Sequence, residues 1–194
     1  MSSRTRGTTG VLVDRDGTLI REVGHLNRLE QVELLPRVPE AIRLLRDHGL
    51  KVAVITNQSA VARGLLSEEE LERIHQELKR RLAASGATLD GIYYCPHHPT
   101  EGFEPYRIPC ECRKPNVGFA RRAAVELNLD LNRSYVVGDQ LTDMELAARI
   151  GARGILIEAG DTQAARRDAT MGSVLVKDLW EAASWIVQDL QANG

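Results

Sequence analysis

Val11-Leu12-Val13-Asp14-Arg15-Asp16-Gly17-Thr18 sets two carboxylates one residue apart at the end of a short apolar run, then releases the chain into a turn at Gly17. The run reads as a buried strand and the carboxylates as the mouth of a site. Like charges side by side at a strand end suffer both desolvation and mutual repulsion, so a cation or a polar task must offset the cost. Magnesium is the natural candidate, because a hard ion takes oxygen ligands and shares its shell with substrate phosphate. In isolation the same pattern also suits a calcium loop or an ordinary turn.

Outward from this stretch, apolar runs recur at Val52–Thr56, Ile92–Tyr94, Tyr135–Val137, Gly154–Ile157 and Ser173–Val176. Helical patterns separate them. Pro39–His48 carries Ile42, Leu44 and Leu45 and stops at Gly49. Ser67 and Glu70 form a capping box for a helix with Leu71, Ile74, Leu78 and Leu82 as its stripe, ending near Gly86. Gly118–Leu127, Asp143–Ile150 and a closing helix from Leu179 follow, with Trp180, Trp185 and Ile186 expected to pack rather than bind. Alternation of strand and helix implies an α/β fold, a doubly wound parallel sheet with its sites at the carboxyl ends of the strands.

The chain has 194 residues, enough for one sizeable domain. A single domain over 10–190 is expected, preceded by a flexible polar tail over 1–9. A net charge of −2 gives no basic excess, so nucleic acid is not a favoured partner. The N-terminal stretch is polar and lacks an apolar segment, so neither export nor a membrane span is expected. The expectation is a cytoplasmic, monomeric protein.

Four polar clusters follow predicted strands or the loop between them: Asp14 and Asp16; Thr56-Asn57-Gln58-Ser59; Arg113-Lys114-Pro115; and Gly138-Asp139-Gln140-Leu141-Thr142-Asp143. Each has an ordinary explanation taken singly. Thr56-Asn57 can start a turn, Lys114 can be solvated, and Asp139 or Asp143 can cap a helix. Jointly, at one end of one sheet, they fit a shared task.

All three cysteines lie in one window, Cys95-Pro96-His97-His98-Pro99 followed by Cys110-Glu111-Cys112. Three thiolates and one imidazole suit a closed tetrahedral zinc site, and an odd count in an unexported chain argues against disulfides. The loop between the pairs, over about 95–112, has little apolar content and needs such a staple. His97 fits the spacing better than His98. The site would position Arg113 and Lys114 rather than perform hydrolysis.

The four clusters resemble the motifs of the haloacid dehalogenase superfamily of aspartate-dependent phosphatases, over roughly Gly10 to Ile157. The resemblance implies that core without a large cap domain. It also implies Asp14 as nucleophile, Asp16 as acid and then base, Thr56 and backbone amides around Asn57 on phosphoryl oxygens, and Lys114 as a neutralising cation. Magnesium would be held by Asp14, Asp16 and Asp139, with Asp143 in support.

Thr56 to Gly64, Tyr93 to Pro99 and the long zinc loop further resemble the D-glycero-D-manno-heptose-1,7-bisphosphate 7-phosphatase branch, and more distantly the histidinol-phosphate phosphatases. Ala60 stands where the heptose branch usually carries glycine. The implied substrate is a small sugar bisphosphate. Glu22, Val23, Gly24 and His25, then Ser59 to Leu66, and the zinc loop would shape its choice, with Arg15, Gln58 and Gln140 also facing substrate. Arg113, together with Arg63, would grip the unreacted phosphate. A catalytically idle sugar-phosphate sensor on the same fold is the alternative of a different class.

Overall fold

The computed structural model describes residues 7–158 and 173–193. Six parallel strands form one sheet: β1 (Gly10–Val13), β2 (Lys51–Asn57), β3 (Gly91–Cys95), β4 (Tyr135–Gly138), β5 (Arg153–Ile157) and β6 (Val174–Val176). Their spatial order is β3-β2-β1-β4-β5-β6. The chain therefore winds outward from β1 to β3, then crosses to the other side of β1 for β4. Between β1 and β4 the direction of winding reverses, and in open α/β sheets the crevice outside such a reversal is where ligands bind.

Strand side chains alternate between faces, which explains why the apolar runs are nearly continuous. Val11, Val13, Val52, Val54, Tyr135, Val137, Ile155 and Ile157 pack on one side with α1 (Val38–Asp47), α2 (Glu68–Ala84) and α5 (Leu179–Asn193). Leu12, Ala53, Ile55 and Val136 face α3 (Gly118–Leu127) and α4 (Leu141–Ile150). Ile186 is fully buried, and Trp180 and Trp185 lie partly buried against the first cluster. These aromatics are packing groups, as expected.

Several element ends shift by one residue, and two boundaries differ from the sequence reading by more, each for a physical reason. Helix α4 begins at Leu141 rather than Asp143, because the Asp143 carboxylate reaches back to accept from the Gln140 backbone N–H at 3.2 Å and so lies inside the first turn. Gly7–Thr9, expected in the tail, are held by the core. Thr8 N–H donates to Asn128 O at 2.8 Å, and Asp130 N–H donates to Thr8 O at 3.0 Å. The expected capping box of α2 is present, with Glu70 N–H donating to Ser67 Oγ at 3.1 Å and Ser67 N–H to Glu70 Oε2 at 2.7 Å. No helix among the described residues is long and apolar enough to cross a membrane.

Candidate active site

The carboxyl ends of β1, β2 and β4 open into a crevice of about 500 Å³. Its walls include Asp14, Asp16, Thr56, Asn57, Lys114 and Asp139, with Glu22, Gly24, His25, Ser59, Arg113 and Gln140 around them. Asp14 continues the ladder past β1 by donating its N–H to Val137 O at 2.9 Å. The chain then turns tightly: Gly17 has φ 72°, and Leu19 N–H donates back to Arg15 O at 2.9 Å. Glycine is needed there twice over, since a Cβ would overlap the Asp139 carboxylate as well as disfavour the left-handed backbone. At the end of β4, a Cβ on Gly138 would likewise overlap Asp143.

Three carboxylates, Asp14, Asp139 and Asp143, bring oxygens within 4.8 Å of one another, and all three residues are buried. Lys114 enters this cluster from the loop after the cysteines. Its Nζ lies 2.8 Å from Asp14 Oδ1 and 2.7 Å from Asp143 Oδ1. Burial opposes its charge, but Asp14 and Asp143 outweigh that and hold its pKa above the ordinary lysine value. One cation for three anions leaves a deficit. Burial, then the Asp14 charge, pushes the Asp139 carboxyl up to about 6, and its Oδ1 is buried without a hydrogen-bond partner. An unpartnered buried acceptor beside an unbalanced carboxylate pair fits a divalent cation.

Asn57 fixes Lys114 by its backbone. Lys114 N–H donates to Asn57 Oδ1 at 2.9 Å, and Asn57 Nδ2 donates to Lys114 O at 3.1 Å. The Asn57 side chain is thus spent on the lysine, while the residue still lines the crevice. Asp16 stands outside the carboxylate cluster. Its side chain accepts from Arg15 and from Gln58 Nε2, the latter at 2.7 Å. Arg15 reaches the crevice wall, but its guanidinium is committed to Asp16, Gln58 and His75.

The second cluster is compact. Cys95 Sγ lies 3.5 Å from Cys110 Sγ and 3.2 Å from Cys112 Sγ, and the last two are 3.3 Å apart. His97 Nδ1 lies 3.7 Å from Cys95 Sγ and 3.4 Å from Cys112 Sγ. These separations approach the edge of about 3.8 Å that a tetrahedron with metal–sulfur bonds near 2.3 Å requires. All three cysteines are free. Burial pushes the Cys95 thiol up and the Cys112 thiol up to about 11, so those two thiolates need a cation, while at Cys110 burial is outweighed by hydrogen bonds from Cys112 and Cys95 that lower its pKa. His98 is otherwise engaged: its Nδ1 accepts the Glu101 N–H at 2.9 Å. Arg113 Nη1 donates to His97 O at 3.1 Å and Asn116 Nδ2 to Cys110 O at 2.7 Å, so the cysteine loop directly braces the segment that carries Lys114.

Arg63 and Val23 do not line the crevice. Arg63 pairs with Glu101, tying the loop after β2 to the cysteine loop. Ala60, buried in that loop, is not among the residues with a left-handed backbone, so glycine is not required there.

A family model described as HAD-hydrolase-like matches residues 111–182. A D-glycero-beta-D-manno-heptose-1,7-bisphosphate 7-phosphatase of Yersinia pestis is 35% identical over 188 residues, spanning 96% of this chain and 93% of its own length. The chain belongs to the haloacid dehalogenase-like phosphatases, in their heptose-bisphosphate branch. A relative from Thermosynechococcus vestitus, named D-glycero-D-manno-heptose-1,7-bisphosphate 7-phosphatase, is 39% identical over 188 residues, covering 93% of this chain and 96% of its own. The crystal structure of D,D-heptose 1.7-bisphosphate phosphatase from B. bronchiseptica, complexed with magnesium and phosphate, superposes with a TM-score of 0.82 at 31% identity. It covers 94% of this chain and 99% of that one. This phosphatase therefore shares both its sheet and its length with the branch.

His75 is the buried polar member of this neighbourhood that sequence reasoning missed, alongside the loop partners Glu101 and Asn116. It is a polar side chain set in the apolar stripe of α2 between Ile74 and Leu78, and it is 1% exposed. Burial, then the charges of Arg15 and Lys79, lowers its pKa to about 3. An unfolded histidine takes up its proton near pH 6.5, so between about 6.5 and 3 the unfolded chain binds more protons and the fold loses stability as pH falls. Denaturant titrations from about pH 7 down to about pH 4 should show this loss, and His75→Gln should flatten it. An equally steep acid limb in the variant would contradict the assignment.

Proposed function

We propose that this phosphatase removes the 7-phosphate of D-glycero-D-manno-heptose 1,7-bisphosphate through an aspartyl-phosphate on Asp14, leaving heptose 1-phosphate. The observation that carries the reading is the Asp14 carboxylate itself, held at the strand reversal beside Lys114 and facing the same crevice as Asp16 and Thr56. The names of the relatives support the choice of sugar.

Asp14 attacks phosphorus, an O–P bond forms, and the bond to the C7 oxygen breaks with its electron pair on the departing alkoxide. Asp16 gives that oxygen a proton. Water then attacks phosphorus, Asp16 takes the water's proton, and the Asp14–phosphorus bond breaks to release inorganic phosphate. Thr56 and the backbone amides near Asn57 hold the phosphoryl oxygens while Lys114 offsets their charge. Asp14 and Asp139 are the side chains that would hold magnesium, which when bound supplies positive charge to the phosphoryl group. Asp143 serves this arrangement by anchoring Lys114.

Cys95, His97, Cys110 and Cys112 would hold zinc as a structural cross-link. Metal analysis of protein purified without added zinc should find one ion per chain. Cys110→Ser should lower that content and loosen the loop in hydrogen exchange. Unchanged metal content and protection in the variant would remove the zinc assignment.

Arg113, braced by the His97 carbonyl on the crevice wall, is the candidate for gripping the phosphate that stays on the sugar. Arg113→Ala should lower kcat/KM for the bisphosphate by about 1.5–3 kcal/mol, the value of a charged hydrogen bond, and for a simple monophosphate by much less. Steady-state kinetics on heptose bisphosphate, histidinol phosphate and a generic phosphomonoester test both readings at once. A higher kcat/KM for histidinol phosphate in the parent would overturn the sugar assignment, and equal losses on all three substrates would remove the Arg113 role.

A further inference from the structure

Arg15 lies between the two aspartates assigned to chemistry, yet it is among the largest fully buried side chains of the protein, at 1% exposure. A guanidinium without partners is too costly to bury, so the groups that satisfy it show what it serves. Nε donates to Asp16 Oδ1 at 3.2 Å; Nη2 donates to Asp16 Oδ1 at 3.0 Å and Oδ2 at 2.9 Å. Nη2 also donates to Gln58 Oε1 at 2.7 Å, and Nη1 lies 3.2 Å from His75 Nε2. Gln58 closes the circuit, its Nε2 donating to Asp16 Oδ2 at 2.7 Å and to Thr56 Oγ1 at 2.8 Å.

The protein-facing side of the Asp16 carboxylate is therefore gripped by a planar fork and an amide, while the side chain remains 19% exposed toward the crevice. A planar fork fixes both the position and the plane of a carboxylate, which a point charge cannot do. The fork is itself held from behind. His75, from α2, presents a ring nitrogen to the one Arg15 nitrogen that neither Asp16 nor Gln58 engages. The same amide that touches Asp16 touches Thr56, so the proton-transferring group and the phosphoryl-binding group share one support.

We propose that Arg15, with Gln58 beside it and His75 behind it, is a positioning device that fixes the Asp16 carboxyl toward the leaving-group oxygen. The proposal rests on the reading of Asp16 as the acid that protonates the departing alkoxide. None of the three residues needs to touch the sugar. Their effect is on leaving groups that require a proton and little on those that do not.

Single-turnover cleavage rates separate these cases. The parent, Asp16→Asn, Arg15→Lys, His75→Leu and His75→Gln are compared on heptose 1,7-bisphosphate, whose alkoxide must be protonated, and on 4-nitrophenyl phosphate, whose phenolate departs without a proton. Arg15→Lys and His75→Leu should slow alkyl cleavage by about 10- to 100-fold, part of the roughly 10²–10⁴ that a positioned acid contributes, and slow aryl cleavage by no more than about threefold. His75→Gln keeps an acceptor for Arg15 and should recover most of the alkyl rate. Equal losses on both substrates, or none, would overturn the device. If Arg15→Lys does not fold, the two His75 variants decide alone. The underlying reading has its own control: Asp16→Asn must show the same alkyl-selective loss. If it does and the Arg15 and His75 variants do not, only the device falls; if it slows both substrates alike, the role of Asp16 falls with it.

Discussion

Replacing Asp14 by Asn should abolish turnover, by at least about 10⁴-fold, the scale of loss when a covalent nucleophile is removed. The amide matches the carboxylate in size and cannot form the acyl phosphate. The fold has no reason to suffer. Asp14 is one of three crowded carboxylates, and after burial its charge is what raises the pKa of both Asp139 and Asp143, so neutralising it relieves repulsion while Lys114 keeps Asp143 as a partner. In metal-free buffer Asp14→Asn should melt no lower than the parent. Phosphate release and intact mass after an acid quench check both halves. A phosphoryl adduct should form on the parent and be absent from the variant, and near-parental turnover in a folded variant would end the covalent mechanism.

Lys114→Met should damage both stability and rate. The lysine is 4% exposed and is the cation that partners both Asp14 and Asp143. Deleting one partner from a buried ionic cluster leaves uncompensated charge, at a cost of about 3–5 kcal/mol. Magnesium should recover part of that stability by neutralising Asp14 and Asp139, yet it cannot replace a donor aimed at the phosphoryl group. The rate should stay about 10²–10³-fold down at saturating magnesium. Thermal melts with and without magnesium, paired with kcat, measure the two effects. A variant as stable as the parent in metal-free buffer would contradict the charge deficit described for the cluster.

The fold was legible because its strands are buried on both faces, so β1, β2 and β4 stand out as unbroken apolar runs that end in polar groups. Asp14, Thr56, Lys114 and Asp139 converge on one crevice as read, since each ends or follows a strand or lies in the loop that a strand feeds. What the sequence concealed is where side chains turn once they arrive. Asp16 and Asp14 differ by two positions and read together as magnesium ligands, but around the tight turn at Gly17 Asp14 meets Lys114 while Asp16 meets Arg15 and Gln58. Arg15 reads as a substrate ligand by its neighbours, and only the placement of α2 reveals His75 behind it. Arg63 reads as a free cation until Glu101, 38 positions away, takes it. His97 and His98 differ by one position, yet it is His97 Nδ1 that meets the cysteine sulfurs, while a turn N–H occupies Nδ1 of His98. Apart from the local Arg15–Asp16, Cys95–His97 and His98–Glu101 contacts, these join distant segments, which spacing alone does not encode.

The most direct test of the central claim follows the two phosphorus resonances of D-glycero-D-manno-heptose 1,7-bisphosphate by ³¹P NMR during turnover with magnesium. The reading predicts that the C7 phosphate signal falls as inorganic phosphate rises, while the anomeric phosphate persists as heptose 1-phosphate. Loss of the anomeric signal first, or an unchanged spectrum from folded, magnesium-loaded protein, would contradict it.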